Sequence, residues 1–104
     1  MKKVRWLGSS REDLISFPKS ARADIGYGID RLQRGLKPLD WKPLLPGSIF
    51  EMRVRDRFGI YRAAYMMKIA DEVIIIHCFR KKTQKTAKKD LDLIQQRVKE
   101  FKNG

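Results

Sequence analysis

The sequence predicts a single α+β domain, in which a small antiparallel sheet is packed by two N-terminal helices and one C-terminal helix. Two patterns carry this prediction: apolar residues recur at helical spacing near both ends of the chain, and from Ile49 they alternate with period two. The third observation is length, because 104 residues with 42% hydrophobic content suit one core and leave little room for two. We therefore expect residues 1–104 to form one domain.

The chain is predicted to begin with a strand and a short helix. Residues 4–7 are a mixed apolar run that ends at Gly8, which is typical of an edge strand. Ser9 and Glu12 have the spacing of a capping box, in which each side chain bonds the other residue's backbone N–H. A short helix is therefore expected to begin near Ser9.

A second helix is expected from Pro18 to Gly35. Proline suits the first turn of a helix, and glycine is a natural stop. Gly26 and Gly28 weaken helix formation, so we expect tertiary packing to hold this helix, with a close backbone approach at the glycines. Its predicted core face consists of Ala21, Ile25, Ile29 and Leu32.

The middle of the chain predicts a loop followed by a three-strand meander. Residues 36–48 hold three prolines and a glycine, which indicates a loop. Strands are then expected near residues 49–55, 60–68 and 73–79, joined by short turns at 56–59 and 70–72. The third of these strands is apolar on both faces, so it is expected at the centre of the sheet.

The last element is predicted as a helix from about Thr86 to Phe101, before Asn103 and Gly104 end the chain. One apolar stripe at helical spacing supports it, and its members are Leu91, Ile94, Val98 and Phe101.

The charge of the chain narrows the class of partner. The formal balance is +12, from 24 basic and 12 acidic residues, so the domain is expected to attract polyanions: nucleic acid, an acidic protein or an anionic membrane surface. The membrane is the weakest of these, since no apolar run approaches the roughly 20 residues of a spanning helix. The basic start lacks an apolar signal region, which favours the cytoplasm.

One cysteine, Cys78, and one histidine, His77, restrict the chemistry further. A single cysteine cannot form an internal disulfide, and the two residues together cannot supply a zinc site of the usual spacing. We therefore expect neither a metal nor a cofactor.

Arginines and lysines fall on the predicted strands in a pattern that suits phosphate contacts. Arg53 and Arg55 share a strand face by alternation, Arg62 follows the next turn, and residues 80–82 end the third strand. The alternative is that these cations simply cover the solvent side of a half-exposed sheet, and the sequence leaves both interpretations open.

If that face bound RNA, metal-free cleavage would need a group that accepts the proton of the attacking 2′-hydroxyl. It would also need cations for the charge on the phosphorane and a proton donor for the leaving 5′-oxygen. The candidates for proton transfer are His77, Tyr61, Tyr65, Lys81 and Lys82. A lone histidine on an apolar strand is more often a packed core residue, and the tyrosines are more often core or rim aromatics.

Several motifs occur in the order known from one protein family. They are Phe17-Pro18, Ala21-Arg22, Gly26-Tyr27, Leu32 to Gly35, Lys42-Pro43-Leu44, Phe50 to Arg53, Gly59 to Arg62 and Ile76 to Thr86. Over nearly its whole length the chain resembles the phage-related, HigB-like branch of the RelE/ParE superfamily, the toxins of type II toxin–antitoxin systems. The stretch from His77 to Thr86 is the most specific part of the resemblance.

The resemblance implies the RelE-like fold and a ribosome-dependent mRNA endonuclease that inhibits translation. Arg53 and Arg55 match two alternating strand cations of such toxins, Arg62 matches an arginine after the turn, and Lys81 with Lys82 matches a basic pair. His77 joins them as a candidate catalytic residue. The surrounding cations are candidate RNA contacts: Arg57, Arg80, Lys85, Lys88 and Lys89. Other members carry a tyrosine, or a histidine and an aspartate, near the last helix. Residues 86–90 offer neither Tyr nor His, which leaves the general base unassigned.

The resemblance also implies partners. The expected ones are a helix-turn-helix antitoxin, the ribosome and mRNA, with operator DNA bound only through the toxin–antitoxin complex. Two alternatives stay open: a ParE-like inhibitor of DNA gyrase that acts by binding, and a basic nucleic-acid-binding module without toxicity.

Overall fold

The secondary structure of the computed structural model follows the predicted order with one addition. The elements are β1 (Lys3–Trp6), α1 (Ser10–Ile15), α2 (Lys19–Gln33), β2 (Trp41–Leu45), β3 (Ile49–Asp56), β4 (Gly59–Lys68), β5 (Glu72–Lys81) and α3 (Lys88–Asn103). The structure describes residues 1–68, 71–81 and 85–104. All strands join one sheet in the order β1-β5-β4-β3-β2. The α+β class, with two helices before the meander and one after it, is confirmed.

The meander is formed by β3, β4 and β5, which pair antiparallel as predicted. A two-residue turn of Arg57 and Phe58 joins β3 to β4, because Asp56 lies opposite Gly59. The Asp56 carboxylate fixes this turn by accepting the backbone N–H of Phe58 at 2.7 Å.

β1 corrects the prediction of a wholly antiparallel sheet, because it pairs parallel to β5. The helices α1 and α2 carry the chain away from β1, so the strand meets β5 without a hairpin that would reverse its direction. A short alternating sequence indicates a strand but carries no information about that direction. Arg5 supports the pairing across the edge, with its Nε 2.9 Å from the carboxylate of Glu72.

β2 is the added element, and it lies where the sequence predicted a loop. Pro43 is the reason why no strand was predicted here, because proline cannot donate a hydrogen bond to a neighbouring strand and is confined to edge strands and irregular positions. β2 is an edge strand, and its register against β3 shifts between Pro43 and Leu45. Pro43 is therefore tolerated there.

The sheet separates two hydrophobic cores. α1 and α2 cover one face, which we call the α2 face, and α3 covers the other, which we call the α3 face. The buried core of the α2 face includes Leu14, Ile25, Ile29, Leu32, Met52, Ala63, Tyr65, Val73, Ile75 and Cys78. The buried core of the α3 face includes Ile49, Ala64, Met66, Ile74, Ile76, Phe79, Ile94 and Val98.

Gly28 shows why α2 keeps a glycine in its middle. A Cβ at this position would lie 2.7 Å from the sulfur of Met52, so the helix approaches the sheet there more closely than a larger residue allows. The predicted close approach is therefore confirmed at Gly28. A Cβ at Gly26 would meet no atom within 4 Å.

A bulge in β5 determines where His77 points. His77 lies opposite Ala64 and Ile75 lies opposite Tyr65, so Ile76 is an extra residue between them. Ile75 packs on the α2 face, whereas Ile76 packs on the α3 face. The bulge therefore places His77 on the α3 face, although simple alternation along the strand would place it on the face of Ile75.

The N-terminus of α1 differs in detail from a capping box. Ser9 occupies the N-cap position, but its side chain makes no capping bond to the helix backbone. Its hydroxyl instead donates to the carboxylate of Asp13 at 2.8 Å. Among the described residues, no helix is both long and apolar enough to cross a membrane.

Candidate functional site

Four of the predicted site cations lie together on the α3 face of the sheet. Arg53 is directly opposite Arg62, and Ile60 is directly opposite both Arg55 and Lys81. Residues opposite one another point to the same face, so the four side chains share one region. α3 packs on the other end of this face, against Ile74 and Ile76 among others. We call Arg53, Arg55, Arg62 and Lys81 the cation cluster.

Arg53 and Arg62 approach each other closely because of their place in the ladder. The backbone N–H of Arg53 donates to the carbonyl of Asp40 at 3.0 Å, so it points away from β4. The two arginines therefore form a non-hydrogen-bonded pair, the kind in which opposite side chains lie closest together. Like charges at such a position destabilise a sheet unless other groups compensate for them.

Glu51 supplies that compensation for Arg62. Both side chains are fully buried, and Nη1 of Arg62 lies 3.2 Å from Oε2 of Glu51. The hydroxyl of Thr86 donates to Oε1 of Glu51 at 2.9 Å and accepts from Arg62 at 3.2 Å. Lys42 on β2 brings a second positive charge to within 3.7 Å of Oε2 of Glu51. Arg62 thus lies under the surface, and its charge is held in place by its neighbours.

Arg53 and Arg55 are the members of the cluster that reach solvent. The side chain of Arg53 is 32% exposed, and its Nη2 lies 3.3 Å from the carboxylate of Asp40. Arg55 is exposed near the end of β3. A ligand that approaches this face would therefore meet Arg53 and Arg55 first.

Lys81 connects the cluster to the start of α3. Its ammonium group donates to the carbonyl of Lys85 at 3.0 Å and lies 3.6 Å from the carboxylate of Asp90. Asp90 is in the first turn of α3, where a negative charge also suits the helix dipole. The Lys81 side chain is only 6% exposed, so it is held rather than free to move.

His77 is enclosed between Asp90 and Arg97. Its Nε2 lies 2.8 Å from Asp90, and its Nδ1 lies 3.5 Å from Nη1 of Arg97. Because arginine can only donate, Nδ1 must accept, and the ring proton belongs on Nε2, where it is donated to Asp90. The imidazole also stacks on Phe79, with ring centroids 4.6 Å apart.

Burial lowers the pKa of His77 from its ordinary value of 6.5, although the hydrogen bond and charge of Asp90 oppose this effect. The neutral ring is thus the form expected at pH 7. His77 is only 7% exposed and both ring nitrogens have partners, so this geometry favours a structural position over contact with a ligand. Its catalytic role stays a prediction.

The remaining predicted RNA contacts are spread around the cluster. Arg80 is on the opposite face, since it pairs with Tyr61, lies over the Tyr61 ring and donates to the carbonyl of Phe58. Arg57 is in the turn, over the ring of Phe58 at 4.8 Å. Three exposed lysines lie just before α3 or in its first turn: Lys85, Lys88 and Lys89. Lys82 lies outside the described residues.

The candidate tyrosines and Cys78 lie on the α2 face, away from the cation cluster. Tyr61 and Tyr65 are buried at 1% and 3% exposure. Burial raises the pKa of Tyr65 to about 12, and burial likewise raises the pKa of Cys78 to about 12. Tyr65 and Cys78 therefore stay protonated at neutral pH.

Several residues of this site were not singled out by sequence reasoning. Glu51, Thr86, Asp90 and Arg97 hold the cations and His77, yet they are separated from them by up to 24 positions in the chain. The only signal for Glu51 was its alternation with Arg53 and Arg55, which places it on their face. Within the part of the chain that the structure describes, no group of three His, Cys, Asp or Glu residues is arranged to hold a metal ion.

Comparison with known proteins gives one family and two similar structures. Residues 12–99 match the family described as "Phage derived protein Gp49-like (DUF891)". A chain of the toxin–antitoxin complex RelBE2 from Mycobacterium tuberculosis is 25% identical, with a TM-score of 0.56 over 77% of this chain and 98% of that one. A free-state arginine-to-alanine double mutant of the E. coli toxin RelE is 13% identical, with a TM-score of 0.58 over 95% and 96%. A search of curated proteins gave no match.

Proposed function

The chain belongs to the phage-derived Gp49-like family and to the RelE-type toxins of toxin–antitoxin systems, and from this premise we propose that it inhibits translation by cleaving mRNA on the ribosome. On this proposal it acts in the cytoplasm as the HigB-like toxin of a type II pair. A helix-turn-helix antitoxin neutralises it, and the complex of the two binds operator DNA.

The observation that carries the proposal is the cation cluster. Arg53, Arg62 and Lys81 lie on three adjacent strands and on one face, where Arg53 reaches solvent and Arg62 and Lys81 are buried beside it. The planar guanidinium group matches the oxygens of a phosphate and keeps its charge at any working pH. Because the strands are rigid, these charges are already in position before a substrate arrives, which is the condition for electrostatic stabilisation of a transition state.

The proposed reaction is attack of a 2′-hydroxyl on the adjacent phosphorus. The new bond joins the 2′-oxygen to phosphorus, the bond to the 5′-oxygen breaks, and a proton must pass from the attacking to the leaving oxygen. The developing negative charge falls on the non-bridging phosphate oxygens, and Arg53 and Arg55 are the exposed cations that can contact them. On this face the protein thus contributes positioning and charge stabilisation.

Arg62 has a different part in the proposal. It is fully enclosed by Glu51 and Thr86, so in this conformation its charge is compensated by Glu51 and it does not contact a ligand. A direct contact with phosphate would require Thr86 to move away. Lys81 is similarly held, by Asp90 and the carbonyl of Lys85.

The test is controlled expression of the parent and of a double variant, Arg53→Ala with Arg55→Ala. Both residues reach solvent, so the variant should fold. We expect mRNA cleavage during translation, mapped by primer extension, to fall about 100-fold or more, the usual cost of removing a preorganised charge-stabilising group. Growth should then resume.

The matched control is Arg31→Ala with Arg34→Ala, which removes the same charge from α2, away from the cluster. It should remain toxic. Two results would contradict the proposal: an Arg53/Arg55 variant that arrests growth as the parent does, or arrest with intact mRNA. Intact mRNA with inhibited plasmid supercoiling would select the gyrase alternative, and harmless overexpression of the parent would select a plain binding module.

A further inference from the structure

The edge of β3 is open beyond Arg53. β2 runs alongside β3 only as far as the pair Trp41–Met52, and the carbonyl of Asp40 adds one more hydrogen bond, to Arg53. The chain before Asp40 then leaves the sheet, and Leu39 is 78% exposed. In residues 1–68, 71–81 and 85–104, no strand lies next to the Val54–Asp56 side of β3.

The backbone of Arg55 points toward this open edge. N–H groups alternate in direction along a strand, and that of Arg53 points to the β2 side. The N–H and C=O of Arg55 therefore point to the β2 side as well, where no strand receives them. An exposed strand edge of this kind is a template for another chain.

A cavity of about 250 Å³ lies at the same place. Its lining includes four consecutive residues of β3, Met52, Arg53, Val54 and Arg55, together with Tyr27 and Gly28 of α2. Consecutive strand residues point to opposite faces, so one cavity can touch all four only from the edge. A cavity of roughly 150 Å³ holds a benzene ring, so this one can take an aliphatic side chain. We call this cavity and the edge beside it the β3 slot.

β2 shows which side chains suit such a position. Trp41 lies on the α2 face and packs on Phe50, while Lys42, the next residue, approaches Glu51 on the α3 face. Asp40, before them, pairs with Arg53. A strand that continued this pattern would place an apolar side chain opposite Val54 and an acidic one opposite Arg55.

Arg53 supplies a further observation that favours an acidic occupant. Its Nε is buried and has no hydrogen-bond partner among the described residues, although Nη2 pairs with Asp40. A buried donor without an acceptor is costly, and a carboxylate brought alongside β3 would compensate for it. On the α3 face, the nearby acids Glu51 and Asp90 already have cationic partners, and Arg55 has no ion pair among the described residues. The slot is also lined by Asp24 and by Asp40, of which Asp40 pairs with Arg53.

We propose that the β3 slot binds an extended segment of a partner protein in which apolar and acidic residues alternate. The segment adds a strand to β3, inserts an apolar side chain beside Tyr27 and Gly28, and brings a carboxylate to Arg53 and Arg55. The identity of the partner rests on the proposed function: it is the neutralising segment of the antitoxin, because it covers the two exposed cations that mRNA would contact.

Binding can be tested on the purified protein without ribosomes. The probe is a capped synthetic peptide in which Leu and Asp alternate for six residues, and its control has three Leu followed by three Asp. Only the alternating peptide can send its two residue types to opposite faces. We expect it to bind at least tenfold more tightly than the control and to slow hydrogen exchange of the Arg55 amide at least tenfold.

Two substitutions separate the backbone contact from the charge. Arg55→Ala removes the charge and keeps the N–H, so binding should weaken several-fold. Arg55→Pro also removes the N–H, which the sheet does not use, and should weaken binding at least tenfold more. Arg57→Ala removes an arginine from the turn, outside the slot, and should leave binding unchanged. Thermal unfolding of each variant checks that it is folded.

The proposal is overturned if both peptides bind equally, or if neither slows exchange at Arg55 in the parent protein. It is also overturned if a single-stranded oligouridine slows that exchange and the alternating peptide does not, because the slot then takes RNA. The proposed function fails separately, since an Arg53/Arg55 variant that remains toxic would leave the peptide result intact.

Discussion

Glu51 and Arg62 place two opposite charges where no water reaches them. Removing one partner of a buried pair leaves an uncompensated charge, which typically costs about 3 to 5 kcal/mol, whereas replacing both with apolar residues is often neutral. We therefore expect Glu51→Ala to lower the free energy of unfolding by about 3 to 5 kcal/mol. The double variant Glu51→Leu with Arg62→Met should recover most of that loss. Urea denaturation measures both.

The exposed pair Asp30–Arg34 is the matched control for that experiment. It has the same kind of ion pair, with 2.9 Å between Nε and the carboxylate, but it lies on the solvent side of α2. Asp30→Ala should cost no more than about 1 kcal/mol. Equal losses at the buried and the exposed pair would contradict the account of Glu51. If the Leu/Met protein is stable but harmless, the Glu51–Arg62 pair matters for activity and not for folding.

His77 makes stability depend on pH in a predictable direction. Burial lowers its pKa in the folded state below 6.5, so the unfolded chain binds the proton more readily. The stability from the neutral ring is therefore complete above about pH 6.5 and is lost as the pH falls through the lowered folded pKa.

Urea denaturation at pH 7.5, 6.5 and 5.5 tests this expectation. The parent should lose more stability between pH 7.5 and 5.5 than His77→Gln does, by at most about 1.4 kcal/mol per pH unit. Gln is a suitable comparison because its amide can donate to Asp90 and does not titrate. Parallel pH profiles for the two proteins would show that His77 is not the titrating group.

At the scale of elements, Arg97 joins α3 to the rest of the fold. Its guanidinium donates to the carbonyl of Ile76 in the bulge at 2.9 Å and to the hydroxyl of Ser9 at 3.1 Å. It also lies over Gly8, where a Cβ would come within 2.5 Å of Nε. One side chain of α3 thus contacts both the start of α1 and the irregular part of β5.

Arg97→Ala should therefore destabilise the protein by about 1 to 3 kcal/mol, because it leaves the partly buried Ile76 carbonyl without its charged donor. Lys99→Ala, an exposed change on the same helix, should have little effect. Urea denaturation measures the loss, and hydrogen exchange of the α3 amides shows where it acts. Equal hydrogen-exchange rates of the α3 amides in the two variants would mean that Arg97 does not hold α3 against the rest of the fold.

Elements with a clear period could be predicted from the sequence, and those with a mixed signal could not. The stripe through Ile94 and Val98 and the alternation from Ile49 each repeat often enough to indicate one structure. β2 has only five residues, one of them proline, so its strand character comes from pairing with β3 and not from its own sequence. The parallel direction of β1 is likewise fixed by β5.

The candidate site likewise has some features that the sequence could predict and others that it could not. Alternation placed Arg53 and Arg55 on one face, and the turn after Asp56 brought Arg62 opposite Arg53. The depth of Arg62 could not be predicted, because it depends on Thr86, which is 24 residues away in the chain. The position of His77 depends on a single extra residue in β5, and the period-two pattern contains no sign of it.

At the scale of the whole molecule, the two faces of the sheet differ in where apolar and charged side chains lie. The α2 face is apolar along most of its length, while the α3 face is apolar under α3 and charged beyond it. With a net charge of +12, the domain should be drawn to polyanions over a range that shortens as salt is added. The rigid sheet then determines which few of its 24 cations meet a bound phosphate in a fixed arrangement.

The pairing of β1 with β5 has a consequence for the order in which this protein can be made. β1 is synthesised well before its neighbour in the sheet, because Glu72 follows Arg5 by 67 positions in the chain. The α3 face is covered only when Ile94 and Val98 have also been synthesised. Contacts so distant in sequence cannot form while the chain is incomplete. A chain cut short before Ile94 therefore lacks the residues that cover the α3 face, and we expect it neither to reach this fold nor to arrest growth.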